Sequence, residues 1–240
     1  MKTVSLSEAL KKSTYPGRGI IFGLTLDNKY AAIAYFIMGR SENSRNRIFV
    51  TYPDGSVKTK AFDESKMTDP SLIIYSPVRT PEKGVWVVTN GDQTDTICDF
   101  IEKGDSFENA LRTRTFEPDS PNYTPRISGI LSVKGGSLSY KLGILKCGDL
   151  EGKTTERQFF EYAEPRRGRG HFLHTYLGDG NPIPAFEGEP EWVSIPDTCE
   201  RFTDEIWQNL NYVNKVSLYT AYIDIESGEA VSYGVINKNH

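Results

Sequence analysis

Short hydrophobic segments rich in Ile, Val, Tyr, Phe and Thr, separated by polar turns, make up most of the chain. This pattern predicts many antiparallel β-strands. Asp27-Asn28-Lys29 and Pro53-Asp54-Gly55 are typical of hairpin turns, because these residues tolerate left-handed backbone. The predicted strands are residues 18–25, 30–38, 46–52, 56–62, 71–79, 84–89, 126–133, 137–147, 156–164, 170–177, 216–225 and 229–236.

Helical periodicity is confined to a few segments. Residues 5–13 form an N-terminal helical stretch, and residues 94–103 and 106–114 place their large apolar side chains on one face. Asp197-x-x-Glu200 resembles a capping box, which predicts that a further helix opens there and ends near residue 211.

Many strands with few amphipathic helices predict an α+β sandwich of two stacked sheets. Each sheet needs an apolar cover on its outer face, and helices 94–114 and 198–211 are the candidates for these two covers. No internal repeat or long linker divides the chain, so we expect a single domain over residues 1–240. The Pro- and Gly-rich residues 178–191 form the one long loop expected, and loops of this length tend to be functional or mobile.

The composition is that of an ordinary globular protein, and the charge and hydrophobicity of the chain argue against some classes of binding partner. The 240 residues are 38% hydrophobic and 25% charged, with a net charge of −4, which argues against a general nucleic-acid binder. The longest apolar run, residues 30–39, has about half the length that a membrane span needs. The N-terminal residues 1–12 lack the apolar core that is typical of a signal peptide. We therefore expect a cytoplasmic protein, with no membrane partner, whose three widely spaced cysteines are reduced thiols: Cys98, Cys147 and Cys199.

The most polar segment is Gly39-Arg-Ser-Glu-Asn-Ser-Arg-Asn-Arg47, between two predicted strands. Its arginines and asparagines could clamp a phosphate, because guanidinium groups match phosphate oxygens and keep their charge. A solvated surface loop is the alternative interpretation. Because no tight-turn sequence closes this strand pair, both interpretations stay open at this point.

Two other segments carry candidate chemistry. At Asn90-Gly91-Asp92 a predicted strand ends and a helix begins, where free N–H groups could bind an anion or an oxyanion; simple capping by Thr94 or Asp95 is a compatible alternative. Three prolines flank Glu117 and Asp119 and could hold a carboxylate rigidly in a cleft, although the pattern alone favours two surface loop acids.

The pair His171-x-x-His174 suggests a metal site at first sight. In a strand, residues three apart point to opposite faces of the sheet, and the surrounding aromatic and β-branched residues favour a strand. We therefore expect no metal there, and no other metal motif is evident.

Taken together, these segments resemble the archaeal-type IMP cyclohydrolases and their bacterial relatives. The resemblance extends over residues 15–181, and residues 170–181 resemble the bacterial branch in particular. The last 60 residues contain no matching motif. The segments that carry the resemblance are Tyr15-Pro-Gly-Arg-Gly-Ile20, Ile33-Ala-Tyr-Phe-Ile-Met-Gly-Arg-Ser-Glu-Asn-Ser-Arg-Asn-Arg47, Thr89-Asn-Gly-Asp-Gln-Thr-Asp95, Tyr123-Thr-Pro-Arg-Ile127 and Gly170-His-Phe-Leu-His-Thr-Tyr-Leu-Gly-Asp-Gly-Asn181.

The resemblance implies a four-layer αββα sandwich like that of N-terminal-nucleophile hydrolases. It implies no autoprocessing, since Met1-Lys2 offers no nucleophile, and it makes residues 1–14 an N-terminal extension. The implied reaction closes the ring of 5-formamido-imidazole-4-carboxamide ribotide to inosine monophosphate with loss of water, the last step of purine synthesis. The implied partner is a small purine ribotide, and the reaction requires no cofactor or metal.

The resemblance also assigns site residues. Arg47 would contact the formyl or carboxamide oxygens, Tyr75 would donate a proton, and Glu117 would be the general acid or base, with Asp119 as the alternative to Glu117. The implied substrate-binding residues are Arg40, Asn46, Asn90, Asp92, Thr124 and Arg126.

Two other functions remain open at the level of the sequence. One is a non-catalytic purine-nucleotide-binding protein, and the other is an amide hydrolase of the same fold, for which no activated nucleophile is evident. Homo-oligomerisation and the role of the loop 166–191 also stay open.

Overall fold

The computed structural model describes residues 4–149 and 151–239. Their strands form two antiparallel sheets, one of six and one of seven strands. The chain is therefore a mixed α+β protein with two sheets and few helices, as the sequence predicts.

The first sheet combines strands from both ends of the chain. In the order in which they pair they are β11, β10, β1, β2, β12 and β13. Their bounds are β1 Arg18–Leu24, β2 Tyr30–Met38, β10 Arg169–His174, β11 Glu191–Ser194, β12 Lys215–Asp224 and β13 Ala230–Asn237.

The second sheet follows the chain in sequence order from β3 to β9. Consecutive strands of this sheet are joined by loops, and the connection from β6 to β7 contains two helices. Their bounds are β3 Arg47–Thr51, β4 Val57–Ala61, β5 Val78–Glu82, β6 Val85–Thr89, β7 Arg126–Lys134, β8 Ser137–Cys147 and β9 Thr155–Tyr162.

Helices cover the outer faces of both sheets. The helices are α1 Leu6–Lys11, α2 Glu42–Arg45, α3 Gln93–Glu102, α4 Phe107–Arg112 and α5 Cys199–Asn209, with a 3₁₀ turn at Glu64–Lys66. Apolar side chains of α1 and α5 pack on the first sheet, and those of α3 and α4 pack on the second. The two predicted covers are therefore confirmed, and α1 adds to the cover of the first sheet.

An apolar core fills the space between the sheets. Ile20 and Phe22 of β1 pack there with Leu131 and Leu142 of the second sheet, and all four are fully buried. Burying each such side chain stabilises the fold by about 1.5–3 kcal/mol. This packing holds the sheets rigidly, so the strand ends can fix polar side chains between them.

The prediction of a strand over residues 71–79 is wrong for most of its length. Residues 71–73 form a turn, residues 74–77 are irregular, and β5 begins only at Val78. Pro70 accepts two turn-type hydrogen bonds, and Pro77 lacks the N–H that a ladder needs. The Thr59 hydroxyl donates to the Ile73 carbonyl at 2.8 Å, so a side chain replaces part of the strand pairing.

The polar segment 39–47 does not close a strand pair, contrary to the sequence prediction. It crosses from β2 in the first sheet to β3 in the second and contains the short helix α2. Its last residue, Arg47, is the first residue of β3 and is fully buried.

Two predicted helix caps are also wrong. The Thr198 side chain, not Asp197, caps α5 by accepting from the Arg201 N–H at 3.3 Å. Helix α3 begins at Gln93 with no side-chain cap: the Thr94 hydroxyl donates to the Gly91 carbonyl, and the Asp95 carboxylate accepts from Arg79.

Candidate active site

Buried polar side chains gather between the two sheets near the beginnings of β1 and β3. We call the residues Arg18, Tyr35, Arg47, Tyr75 and Glu117 the charged cluster. Four of them are almost completely buried, and the Arg18 side chain is 12% exposed. Polar groups of this kind are rarely buried together unless they are paired or bind a ligand.

The guanidinium of Arg47 has a hydrogen-bond partner at Nε but none at its two Nη atoms among the described residues. Its Nε donates to the Ser44 carbonyl at 2.8 Å, which fixes the side chain against the crossover. Both Nη atoms are buried and have no hydrogen-bond partner among the described residues. A buried donor without an acceptor costs about 1–3 kcal/mol, more when it is charged. These two atoms therefore require an acceptor that a ligand can supply.

Arg18 is the second arginine of the cluster, and the sequence analysis did not select it. Its Nη2 lies 4.0 Å from Glu117 Oε2, and its buried Nε also lacks a partner among the described residues. Burial disfavours the charge of Arg18, but Glu117 and the neighbouring tyrosines, Tyr176, Tyr15 and Tyr75, together outweigh this effect, so the pKa of the guanidinium lies above its ordinary value. The signal was present, since Arg18 belongs to Tyr15-Pro-Gly-Arg-Gly-Ile20, but its role depends on contacts distant in sequence.

Glu117 is the carboxylic acid of the cluster. Its N–H donates to the Thr124 carbonyl at 2.9 Å, and Asn90 Nδ2 donates to Oε1 at 3.2 Å. Burial raises the pKa of Glu117 to about 7, against the opposing effect of Arg18 and Arg126. A carboxyl group with this pKa can both accept and release a proton near neutral pH.

Tyr35 of β2 and Tyr75, in the segment before β5, meet at their hydroxyl groups. Their hydroxyl oxygens are 2.7 Å apart, and the backbone N–H of Tyr75 donates to the Thr59 hydroxyl at 2.8 Å. Burial raises the pKa of both phenols, so both stay neutral. Since only one proton lies between the two oxygens, the other hydroxyl retains a proton that it can donate to a ligand.

A second polar group adjoins the charged cluster, and we call it the paired network. It consists of Asn90, Asp92, Gln93, Arg114 and Arg126. Arg126 Nη1 donates to Gln93 Oε1 at 2.7 Å and to Asp92 Oδ1 at 2.7 Å. Arg114 Nη2 donates to Asp92 Oδ2 at 2.5 Å. In this network the charged side chains have close partners of opposite charge.

A known protein family matches most of the chain. Residues 15–228 match the family model described as IMP cyclohydrolase-like protein. This range contains every residue of the charged cluster and of the paired network. The chain belongs to the IMP cyclohydrolase-like family.

Curated relatives in three methanogens carry the name IMP cyclohydrolase. The Methanopyrus kandleri protein is 29% identical over 175 residues, 71% of this chain and 79% of that protein. The Methanococcus maripaludis protein is 31% identical over 130 residues, 52% of this chain and 62% of that protein. The Methanosphaera stadtmanae protein is 31% identical over 125 residues, 50% of this chain and 59% of that protein. The last two matches thus span about three fifths of the relatives' length.

The structure brings together the three residues that the resemblance to IMP cyclohydrolases assigns to catalysis. Arg47, Tyr75 and Glu117 all belong to the charged cluster, and their catalytic roles stay predictions. Asp119, the alternative acid, instead accepts from the Thr124 N–H at 2.6 Å and from the Thr124 hydroxyl at 2.5 Å. Asp119 therefore shapes the loop, and Glu117 alone of the two contributes to the cluster.

The polar segment 39–47 does not converge on one phosphate clamp. Arg40 forms an ion pair with Asp179, and Arg45 Nη2 donates to the Asn214 side chain at 3.1 Å. Asn46 binds the backbone of Asp63 through both its amide atoms. Only Arg47 of these side chains joins the charged cluster.

The predicted substrate contacts have protein partners in the structure. Thr124 shares its hydroxyl with Asp119 and Tyr176, at 2.5 Å from each, and the others take part in the bonds described above. A ligand would have to share or displace these bonds. Substrate binding therefore stays a prediction for Arg40, Asn46, Asn90, Asp92, Thr124 and Arg126.

The two histidines lie on opposite faces of β10, as their spacing predicts. His171 Nδ1 lies 2.6 Å from the Tyr140 hydroxyl on the second sheet, whereas His174 Nδ1 donates to the Tyr176 carbonyl at 2.8 Å. Within residues 4–149 and 151–239, no group of three or more His, Cys, Asp or Glu is placed to hold a metal ion. In the same part of the chain, no helix is long and apolar enough to cross a membrane.

Proposed function

We propose that this protein is an IMP cyclohydrolase, which closes 5-formamido-imidazole-4-carboxamide ribotide to inosine monophosphate with loss of water. Family membership and the names of the curated relatives support the reaction. The observation that carries the proposal is the buried Glu117, with a pKa of about 7, beside two arginines that have unpaired donors.

Glu117 is the group that moves protons. The carboxamide nitrogen is a poor nucleophile and must lose a proton as it attacks the formyl carbon. Ionised Glu117 accepts that proton, and protonated Glu117 returns it to the hydroxyl that leaves as water. A pKa near 7 suits both directions, because neither form is strongly favoured at neutral pH.

Arg47 and Tyr75 stabilise the oxygen on which charge develops. The formyl oxygen becomes oxyanion-like as the ring closes, and preorganised donors lower the energy of such a state. The unpaired Nη atoms of Arg47 and the hydroxyls of Tyr35 and Tyr75 are donors of this kind. Arg18 adds positive charge beside Glu117 and favours binding of an anionic ribotide.

The sheets and their helical covers support a finer proposal for the fold. We assign it as a four-layer αββα sandwich like that of N-terminal-nucleophile hydrolases, without autoprocessing, in one domain over residues 1–240. The family match begins at residue 15. The preceding α1 belongs to the same domain, because it packs its Leu6 and Leu10 with α5. A small purine ribotide is the proposed partner and the cytoplasm the proposed compartment.

A direct assay tests the function. Purified protein is incubated with the formamido ribotide and a metal chelator, and inosine monophosphate is followed by absorbance and chromatography. We expect conversion with the chelator present, and no conversion above background by a double Arg47→Ala, Glu117→Gln variant. Cys98→Ala, outside the cluster, is the matched control and should keep its activity.

Two results would replace the proposal. If inosine monophosphate binds but no ribotide is converted at any enzyme concentration, the protein is a purine-nucleotide-binding protein. If an amide bond is hydrolysed and a cysteine substitution abolishes this activity in folded protein, the amide-hydrolase alternative is correct.

A further inference from the structure

Tyr176 is a buried tyrosine that the proposed reaction does not use. It lies just after β10 of the first sheet and is 2% exposed. Its ring stacks on that of Tyr15, with the ring centres 5.8 Å apart. Burial raises the pKa of its phenol to about 12, and Arg18 is the first of the groups that act against this rise. Tyr176 is therefore neutral and lies beside the charged cluster.

The hydroxyl of Tyr176 donates its proton to Thr124. The two hydroxyl oxygens are 2.5 Å apart. The Thr124 hydroxyl gives its one proton to the Asp119 carboxylate at 2.5 Å, because a carboxylate can only accept. The Thr124 oxygen must therefore accept from Tyr176. Unlike the phenols of Tyr35 and Tyr75, which share one proton and keep another, Tyr176 has no proton left to donate to a ligand.

The backbone fixes Tyr176 to the strand that carries Arg18. The Tyr176 N–H donates to the Pro16 carbonyl at 3.2 Å, and the Thr175 N–H donates to the Arg18 carbonyl at 3.0 Å. A Cβ atom at Gly17 would lie 2.5 Å from the Tyr176 ring, so this close packing requires glycine. The ring therefore has a fixed position relative to β1.

The Tyr176 hydroxyl contacts the loop that carries Glu117. This loop connects α4 to β7 and so leads into the second sheet. Thr124, which accepts from Tyr176 through its hydroxyl, accepts from the Glu117 N–H through its carbonyl at 2.9 Å. Tyr176 and Thr124 thus connect the first sheet to the backbone of Glu117.

We infer that Tyr176 is a positioning residue, which sets the distance between Arg18 and Glu117 through its bond to Thr124. The inference rests on the proposed function, in which Glu117 is the acid and base. Arg18 belongs to the first sheet and Glu117 to the loop of the second, and their closest atoms are 4.0 Å apart. In a buried site, a small change in such a distance changes the interaction between the two charges strongly.

Arg18 is also the charge whose distance from Glu117 depends on this bond. The other charges that act on the pKa of Glu117 are Arg126, Asp119 and Arg47. Arg126 and Arg47 belong to strands of the second sheet, and Asp119 lies in the same loop as Glu117. Of these charges only Arg18 approaches from the first sheet, so a loop released from Tyr176 would chiefly lose the effect of Arg18.

Tyr176→Phe tests the bond directly. The substitution keeps the buried ring and removes only the hydroxyl that donates to Thr124. The Ile183 N–H, which donates to the Asn122 side chain at 3.1 Å, still joins the same two parts of the chain. We therefore expect the variant to fold, which circular dichroism verifies.

The pKa of Glu117 is a readout that does not depend on the reaction. Arg18 lowers this pKa, so loss of its effect in Tyr176→Phe should raise the pKa by about one unit from its value of about 7. Titration of the glutamate carboxyl carbons by ¹³C NMR measures the change. The signal that is absent from the spectrum of Glu117→Gln identifies Glu117.

Tyr222→Phe is the matched control. Tyr222 is also a buried tyrosine of the first sheet, and its hydroxyl donates to the Pro196 carbonyl at 2.5 Å. It packs on the outer face of the sheet with Phe202 of α5 and has no bond to the loop that carries Glu117. This variant also loses the bond of a buried hydroxyl, but the pKa of Glu117 and kcat should stay unchanged.

Kinetics separates a positioning role from a contact with the substrate. In Tyr176→Phe we expect kcat to fall by about tenfold while KM stays within about twofold of the wild type. The rise of kcat/KM with pH should move to higher pH together with the pKa of Glu117. Thr124→Val breaks the same bond from its other side, so the double variant should be no slower than the slower single variant.

Three results would overturn the inference. They are an unchanged pKa of Glu117 in folded Tyr176→Phe, an equal shift in Tyr222→Phe, and losses of kcat in Tyr176→Phe and Thr124→Val that multiply in the double variant. Failure of the proposed function is a separate outcome. If wild-type protein does not convert the ribotide, the titration still decides whether Tyr176 sets the position of Glu117.

Discussion

The charged cluster and the paired network are neighbouring groups of similar composition, but they differ in how closely their charged side chains pair. Both contain two arginines and one carboxylate. In the paired network Asp92 accepts from Arg126 and Arg114 at 2.7 and 2.5 Å. In the charged cluster the arginine and carboxylate come no closer than 4.0 Å, between Arg18 and Glu117.

This difference separates groups that support the site from groups that react in it. Saturated hydrogen bonds fix the paired network, whereas Arg47 retains two buried donors without acceptors, which destabilises the protein unless a ligand binds. Asn90 joins the two groups, since it donates to Glu117 and accepts from Gln93. The network therefore sets the position of the acid, and the cluster supplies the chemistry.

The largest effect is expected from Glu117→Gln. The amide keeps the shape and the contact with Asn90 but cannot transfer the proton, so kcat should fall by about 10²–10⁴-fold. Affinity for inosine monophosphate should stay nearly normal, because the loss lies in the barrier and not in the ground state. Steady-state kinetics and calorimetric titration measure the two quantities.

Asp119→Asn is the matched control for this substitution. Asp119 binds Thr124 outside the cluster, so the variant should keep most of its turnover. If Glu117→Gln kept its turnover and Asp119→Asn lost it, the two acids would have to exchange roles.

The next effect compares an unpaired arginine with a paired one. Arg47→Lys keeps the charge but loses the planar pair of donors, so kcat should fall by about 10²–10³-fold. Arg126→Lys, in the paired network, should chiefly lower stability and leave kcat within about tenfold of the wild type. Steady-state kinetics and urea unfolding of both variants measure these effects. A greater loss of kcat in Arg126→Lys than in Arg47→Lys would contradict the assigned roles of the two arginines.

The third prediction uses the pH dependence of stability. Burial raises the pKa of Glu117 from 4.5 to about 7, so the folded state holds a proton that the unfolded state has already released. The stability from this proton is fully present below pH 4.5 and is lost as the pH rises through 7. At pH 8 ionised Glu117 should destabilise the ligand-free fold by up to about 3 kcal/mol relative to pH 4.5.

Urea unfolding at both ends of this pH range measures the effect. The stability of the wild type relative to Glu117→Gln should decrease from acid to weakly alkaline pH. A constant difference between the two proteins would show that Glu117 has an ordinary pKa, contrary to the expected effect of its burial.

The sequence predicts the strands well because their signal is local. Most predicted strands agree with the structure, and the error at residues 71–77 arises where Pro70, Pro77 and the Thr59 side chain replace backbone pairing. Which strands pair is not a local property. Strand β12 lies beside β2 through contacts such as Thr220 with Ala34, and no motif in the last 60 residues indicates this.

Sequence patterns predicted the residues of the candidate site less well than they predicted the strands. Pattern alone left Glu117 among several loop acids, and Tyr75 lay within the wrongly predicted strand; the resemblance to a family selected both. Arg18 was missed because its role depends on burial beside Glu117, about 100 residues later in the chain. Burial and unpaired donors are properties of the folded state, so no spacing rule identifies them.

The smallest effect is expected from Asp92→Asn, which removes the charge of the paired network and retains its shape. The Asp92 side chain is 52% exposed, so solvent screens its ion pairs, and we expect a loss of about 1 kcal/mol or less at neutral pH. Partial burial of Asp92 acts against its charge, but Arg114 and Arg126 outweigh this effect and hold the pKa below 3.8. The stability from this charge is therefore present above pH 3.8 and is lost as the pH falls through the lower pKa of the folded state, so wild type and variant should converge in acid. Thermal unfolding across this range tests the convergence, and KM for the ribotide tests the role: a rise of more than about tenfold without a larger loss of stability would make Asp92 a substrate contact and not a support.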